Sequence, residues 1–231
     1  NLSVSLNLSI LINKISSYRN SGVESSRFIE CDGFLLNFYD NILNVKHPKY
    51  TLLKVTWKEF IGFMLYILGG LPATGKTELS KFLASSLGAV HIRIDTIEQE
   101  LKNCGFNKLH DEGYKVAFAL ALENLKSGLS VVADSTNPVL ESREGWISVA
   151  NKASSPYIEI EVICSNKAEH RQRVENRQTD IRNLLLPSWE SVISRDYDLW
   201  ETARIVIDTA GKNPEQSKKE LSELLSRNNE E

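Results

Sequence analysis

Cysteine is scarce and methionine scarcer still. Cys31, Cys104 and Cys164 are three thiols far apart, with no C-x-x-C pair among them. Neither a disulfide framework nor a zinc site is indicated, and the thiols read as small core or idle residues in a reducing compartment. Long apolar runs are missing too. The best, Phe60 to Leu71, is 12 residues with three glycines, short of the ~18 a membrane span needs. The first residues lack the basic start and continuous apolar stretch of a secretory signal, so a cytoplasmic location is the default expectation. No charge of one sign dominates: 27 basic residues face 30 acidic ones, a formal net charge of −3. That balance offers no electrostatic footprint for duplex nucleic acid or an acidic membrane, although a few local arginines could still hold an anionic substrate. With 42% hydrophobic and 25% charged residues over 231 positions, whole-chain disorder is excluded, and one large domain or a domain plus an extension fits.

Alanine is absent from residues 1–63, while residues 64–231 contain 12. The first segment instead carries 8 serines and 7 asparagines, and it is slightly basic where the rest is acidic. Such a composition shift marks a boundary. Met64 is the sole methionine, and one explanation makes it the biological start, with residues 1–63 an upstream extension not selected for this fold. The rival is a genuine small N-terminal domain or arm. Leu2, Val4, Leu6, Leu8 and Ile10 alternate with Ser and Asn in a strand-like pattern, and Phe34 to Val45 suits a short helix. No catalytic constellation is visible there.

From Met64 onward, strands and helices alternate, which predicts a parallel sheet covered by helices on both faces. The strands are expected at Met64–Leu68, Ala89–Ile94, Leu129–Ala133, Tyr157–Cys164 and Arg204–Ile207. The helices are expected at Lys76–Leu87, Thr96–Asn103, Asp111–Ser127, Val139–Ala153, Ala168–Asn176, Ser188–Ser194 and Pro214–Arg227. The Asp111–Ser127 helix shows an apolar stripe through Val116, Ala119, Leu120 and Leu122 to Leu125. Trp146, Trp189 and Trp200 read as packing residues.

Residues 70–77 read Gly70-Leu71-Pro72-Ala73-Thr74-Gly75-Lys76-Thr77, a full G-x-x-x-x-G-K-[ST] match between an apolar strand and an amphipathic helix. Glycines let the backbone curl so that successive N–H groups face phosphate oxygens. The helix beginning near Lys76 adds its positive dipole end. Lys76 is then placed for the β- and γ-phosphates, and the Thr77 hydroxyl for Mg²⁺.

Four further landmarks fall where ligands of open α/β sheets bind, beyond the carboxyl ends of the strands. Asp95 closes Ile92-Arg93-Ile94-Asp95 and is either a base for an attacking hydroxyl or an N-cap. Arg93 is equally a substrate-site arginine or an ion-pair partner. Asp134 opens Asp134-Ser135-Thr136-Asn137-Pro138 after an apolar strand, the layout that holds Mg²⁺ directly or through water, or else a plain polar turn. Arg143 is a weaker anion-binding candidate. Arg173 and Arg177 lie four apart on one face of the 170–177 helix, as a lid over transferring phosphate or as a solvated charged face. His170 reads as a helix-surface residue, Thr179 to Pro187 as a mobile connection, and Asp208 to Gly211 as a turn near a nucleotide base.

With these residues together, the chain after Met64 resembles the small P-loop kinases often labelled AAA-family ATPases, a group similar to zeta toxin, chloramphenicol phosphotransferase, gluconate kinase and polynucleotide kinase. The resemblance rests on Leu68 to Thr77, Arg93-Ile94-Asp95, Ala133 to Pro138 and the arginines of 170–177. It implies a five-stranded parallel sheet of order 2-3-1-4-5, and ATP with Mg²⁺ as phosphoryl donor. It further implies Asp95 as base or hydroxyl ligand and the lid arginines on phosphate. The expected activity is phosphoryl transfer to a hydroxyl of a small molecule. An ATP-binding switch without an acceptor and a polynucleotide 5′-hydroxyl kinase are the alternatives.

Overall fold

Five apolar stretches become the strands of one all-parallel sheet; the three inner strands are buried on both faces and the two edge strands less so. The computed structural model describes residues 63–228, together with the backbone of two earlier strands, Phe28–Ile29 and Leu52–Leu53, which pair in parallel. The chain divides into two units, Asn1–Gly62 and Phe63–Glu231. The strand expected at residues 2–10 and the helix expected at 34–45 lie outside the described residues.

Numbered within the second unit, the strands are β1 (Leu65–Gly69), β2 (Val90–Arg93), β3 (Val131–Asp134), β4 (Tyr157–Ile163) and β5 (Ile205–Asp208). Their order is β2-β3-β1-β4-β5, with every neighbouring pair parallel. This is the 2-3-1-4-5 arrangement that the family resemblance implies. The helices are α1 (Lys76–Leu87), α2 (Ile94–Asn103), α3 (Glu112–Lys126), α4 (Leu140–Ala153), α5 (Lys167–Asn176), α6 (Trp189–Ile193) and α7 (Pro214–Asn228). Among the described residues, no helix is long and apolar enough to cross a membrane.

Period-two alternation splits the core into two layers. Leu65, Ile67, Ile92, Val131 and Ala133 pack under α3 and α4, around fully buried Trp146. Leu68, Val132, Ile160, Val162 and Ile207 pack under α1 and α7 through Leu79, Leu83 and Leu221. Truncating a fully buried leucine such as Leu65 to Ala costs about 2–5 kcal/mol, a large share of a domain's net stability.

Two expectations need correction. The α3 stripe runs through Gly113, Ala117, Ala121 and Leu125, which are buried, while Val116 and Leu120 are exposed. Small residues four apart let α3 approach the sheet and α4 closely, and that close approach outweighs side-chain size. The second strand ends at Arg93, and α2 begins at Ile94 with Arg93 as its extended N-cap residue. Asp95 therefore lies in the first helical turn and does not cap it.

Candidate active site

The Gly70–Thr77 loop joins β1 to α1 with three residues at positive φ: Gly70 (145°), Ala73 (66°) and Gly75 (95°). A Cβ on Gly70 would fall 2.2 Å from the Val162 carbonyl oxygen, so only glycine fits against β4. The loop braces itself, because the Thr74 hydroxyl donates to Leu71 O at 3.0 Å. It is then tied to both neighbouring strand ends: Gly70 N donates to Thr136 O at 3.0 Å, and the Thr209 hydroxyl donates to Thr74 O at 2.8 Å.

Lys76 and Asp134 form a buried ion pair at this loop, with Nζ 3.0 Å from Oδ1 and side-chain exposures of 9% and 1%. The parallel register sets Arg93 of β2 and Leu68 of β1 opposite Asp134. By alternation, His91 faces the same side as Arg93. His91 Nε2 stands 3.4 Å and Arg93 Nε 3.8 Å from Asp134 Oδ2, and His91 also meets Ser80 Oγ of α1 at 3.1 Å. Burial alone would raise the Asp134 carboxyl, but Lys76 and His91 outweigh it and hold the group well below the usual carboxylate range. Asp134 Oδ2 and Arg93 Nε nevertheless have no hydrogen-bond partner.

That orphaned carboxylate oxygen, with the half-buried Thr77 hydroxyl at the start of α1, is a donor set of hard oxygens suited to Mg²⁺. Among the described residues no group of three His, Cys, Asp or Glu side chains could cage a metal. The fit is therefore to an ion that takes most of its ligands from phosphate and water.

The 170–177 region divides into two functions. Asn166 caps α5 by accepting from Ala168 N and Glu169 N, both at 3.1 Å. His170, expected on the surface, is buried: its Nε2 lies 2.8 Å from Pro72 O, and its ring meets Trp189 edge-on. Val174, Trp189 and Val192 complete this contact against Leu71 and Ala73. Arg173 donates to the Thr209 hydroxyl (2.8 Å), to Thr209 O (2.9 Å) and to Glu169 (2.5 Å). It thereby borders a cavity of about 210 Å³ that is also lined by Gly75, Leu79, Thr209, Lys212 and Pro214.

Arg177 does not join Arg173. The helix ends at Asn176, and Arg177 turns into extended backbone at φ −67°, ψ 147°, so the expected common face is lost. Arg177 is half-buried; desolvation lowers its guanidinium pKa, Asp95 opposes that shift and Arg93 reinforces it.

Other candidates serve the scaffold. Arg143 is 3% exposed, and its guanidinium is spent on the carbonyl oxygens of Asn137, Pro138, Asp198 and Leu199. It also stacks 4.2 Å from the Trp200 ring, so it is no anion ligand. Asn137 donates to Leu68 O at 2.9 Å and accepts from Trp146 Nε1 at 3.1 Å, fixing the end of β3 to the end of β1. Within the 179–187 connection, Asp180 accepts from Lys81 at 2.5 Å and Arg93 at 2.7 Å, so this stretch is fastened to α1 and β2. Those two cations hold the Asp180 carboxyl well below the usual range. His91 and Asp180 were not singled out from sequence, and Thr209 was singled out only as part of the Asp208–Gly211 turn, not for its bonds to the 70–77 loop and Arg173. Period-two spacing from Arg93 could have flagged His91, but the other two depend on strand neighbours far along the chain.

With that geometry in view, comparison with known proteins is informative. A family model described as an AAA domain matches residues 65–186. A bifunctional polynucleotide phosphatase/kinase of Schizosaccharomyces pombe is 29% identical over 116 residues, 48% of this chain. The chain spans only 25% of that relative's length. In structure it is similar to the Mycobacterium tuberculosis APS kinase CysC (TM-score 0.53, 16% identity, 71% of this chain and 98% of that one). It is likewise similar to a gluconokinase from Sinorhizobium meliloti (TM-score 0.51, 16% identity, 72% and 93%). The glycine-bearing loop between β1 and α1, the buried lysine–aspartate pair beside it and the 2-3-1-4-5 sheet thus agree with the sequence match: the chain belongs to the AAA-domain family, on the fold of the P-loop kinases.

Proposed function

We propose that the protein is an ATP-dependent kinase that transfers the γ-phosphoryl group to a hydroxyl of a small molecule. The observation that carries this reading is the buried Lys76–Asp134 pair at the 70–77 loop with Arg93 of β2 facing the same carboxylate, immediately before the first turn of α2, which carries half-buried Asp95. An ATPase switch needs a phosphate cradle but no carboxylate for an acceptor.

The loop amides of Gly70–Thr77 would bind the phosphates, and Lys76 would exchange its Asp134 contact for β- and γ-phosphate oxygens. The 210 Å³ cavity beside Gly75, Thr209 and Arg173 would receive the base. Mg²⁺, when bound, neutralises charge on the β- and γ-oxygens; Thr77 and Asp134 are the residues that would hold it. Asp95 would accept the acceptor's hydroxyl proton while that oxygen bonds to the γ-phosphorus. The β–γ bridging P–O bond breaks and ADP leaves with the bridging oxygen. Arg177 would counter the negative charge spread over the equatorial oxygens. Such a site works by positioning and electrostatics.

Polynucleotide 5′-hydroxyl transfer is the second reading, favoured by the activity in the name of the S. pombe relative. It predicts a steep fall of activity with salt and competition by oligonucleotides. The deciding experiment supplies the full chain with γ-labelled ATP, Mg²⁺ and a pool of sugars, aminoglycosides, nucleosides and short RNA, with Asp95→Ala alongside. Label on one acceptor, lost in the variant, upholds the kinase reading. Label only in free phosphate, unchanged by Asp95→Ala, favours a switch.

A further inference from the structure

We infer that Glu98 is a specificity residue of the acceptor site. With Asp95 it selects a compound that offers hydroxyl or amino hydrogen-bond donors beside the reacting hydroxyl, and it turns away one that carries a phosphate there. The inference rests on the kinase reading above and names its acceptor class.

Glu98 lies three residues after Asp95 on α2, so the two carboxylates neighbour one another on the helix surface. Its side chain does not extend freely into solvent. It lies across Gly113 of α3, where an added Cβ would fall 2.4 Å from Glu98 Cγ and 3.0 Å from Oε1. Gly113 is buried, so the absence of a side chain there is what lets the carboxylate rest against α3.

The residue after Gly113 brings a third group. The Tyr114 hydroxyl accepts from Asn137 N at 3.4 Å. Burial pushes its pKa up to about 12, with Ser135, Glu98 and Asp95 all near enough to act on it. Ser135 follows Asp134 at the end of β3, is 2% exposed, and its Oγ has no hydrogen-bond partner. A buried hydroxyl without a partner is costly in a finished core and natural where a ligand completes the bonding.

The charges around Glu98 are Asp95 and Glu112 on one hand and Lys102 and Arg195 on the other. Burial raises its carboxyl, and Lys102 and Arg195 favour the ionised form. Two carboxylates, a neutral phenol and a free serine hydroxyl accept hydrogen bonds from hydroxyl or ammonium groups. The two carboxylates, Asp95 and Glu98, repel a phosphate placed beside them.

The test uses the full chain, Mg²⁺ and γ-labelled ATP, with sorbitol and kanamycin as unphosphorylated probes and a 5′-hydroxyl hexanucleotide as the phosphate-bearing one. Wild type should label sorbitol or kanamycin with a higher kcat/KM than the hexanucleotide. Glu98→Gln should raise acceptor KM about 10-fold while kcat and the KM for ATP stay within about twofold. Glu98→Arg should raise relative use of the hexanucleotide. The inference is overturned if wild type prefers the hexanucleotide, or if Glu98→Gln lowers kcat and leaves acceptor KM unmoved. If ATP binds but neither probe class nor water-independent transfer is ever seen, the kinase reading itself has failed, and this inference falls with it.

Discussion

The ends of β5 and β3 reach the same edge of the sheet but are finished differently. At β5, Thr209 bonds to Thr74 O, and Arg173 bonds to Thr209 and Glu169. Glu169 in turn accepts from Gly211 N at 2.8 Å, so the chain of bonds closes on itself. At β3, Asp134 Oδ2, Ser135 Oγ and the facing Arg93 Nε are buried without partners. A closed network rigidifies, whereas unspent bonding capacity awaits a ligand. On the proposed function, the β5 end would be a preformed wall for the donor, and the β3 end the place where donor, ion and acceptor would meet.

If that contrast is right, the largest losses come from β3-side chemistry. Asp95→Ala should lower kcat about 10²–10⁴-fold, the range of a lost general base. Lys76→Ala should lower it about 10²–10³-fold. In both cases ATP binding measured by calorimetry should persist more fully in the Asp95 variant. Retained turnover in Asp95→Ala would break the assignment of the acceptor side.

Stability separates Asp134 from Asp95. Asp134→Ala strands the buried Lys76 charge and should cost about 3–5 kcal/mol in a denaturant titration. Asp95→Ala leaves no such partner and should cost far less. Because the Asp134 carboxyl is held low in the folded protein, its contribution is present in full above its unfolded pKa of about 3.9 and is lost only as pH falls toward the folded value. The stability gap between wild type and Asp134→Asn should therefore be flat above about pH 5 and shrink in acid.

The arginines sharpen the comparison at smaller scale. Arg173→Ala, on the β5 wall, should raise the KM for ATP about 10-fold with kcat largely kept. Arg177→Ala should do the reverse, lowering kcat with little change in ATP affinity. Equal effects on both constants would mean that the two still act as one lid. The smallest effect belongs to Asp180→Asn, whose bridges to Lys81 and Arg93 are exposed on the aspartate side. It should cost within about 1 kcal/mol, less at high salt. Proteolysis within 177–187 is the sensitive readout.

Much of this molecule is legible in its local sequence. The Gly70–Thr77 loop is legible, since glycines, lysine and threonine fall in one pattern of eight consecutive residues. The strands and helices after Met64 are also readable, because the periods 2 and 3.6 are properties of neighbouring positions. The errors occur where packing between distant elements decides. Residue size alone selects Val116 and Leu120 on α3, while close approach to α4 selects Gly113 and Ala117. Four consecutive-turn charges suggest an exposed helix at 170–177, whereas Pro72 and Trp189 take His170 into the interior. Arg143 resembles an anion ligand until four carbonyl oxygens from two other segments surround it.

The sequence by itself determined the parallel sheet, the 70–77 loop between its first strand and helix, and the placing of Asp134 at the end of the third strand, because each is written in short-range pattern. Only the tertiary structure decided which charges meet. Register places Arg93 opposite Asp134 across β2 and β3, the end of α5 parts Arg177 from Arg173, and α3 brings Gly113 and Tyr114 to Glu98. The meetings across β2 and β3 and between α2 and α3 join residues that are not near neighbours in the chain, and they depend on strand order and helix packing.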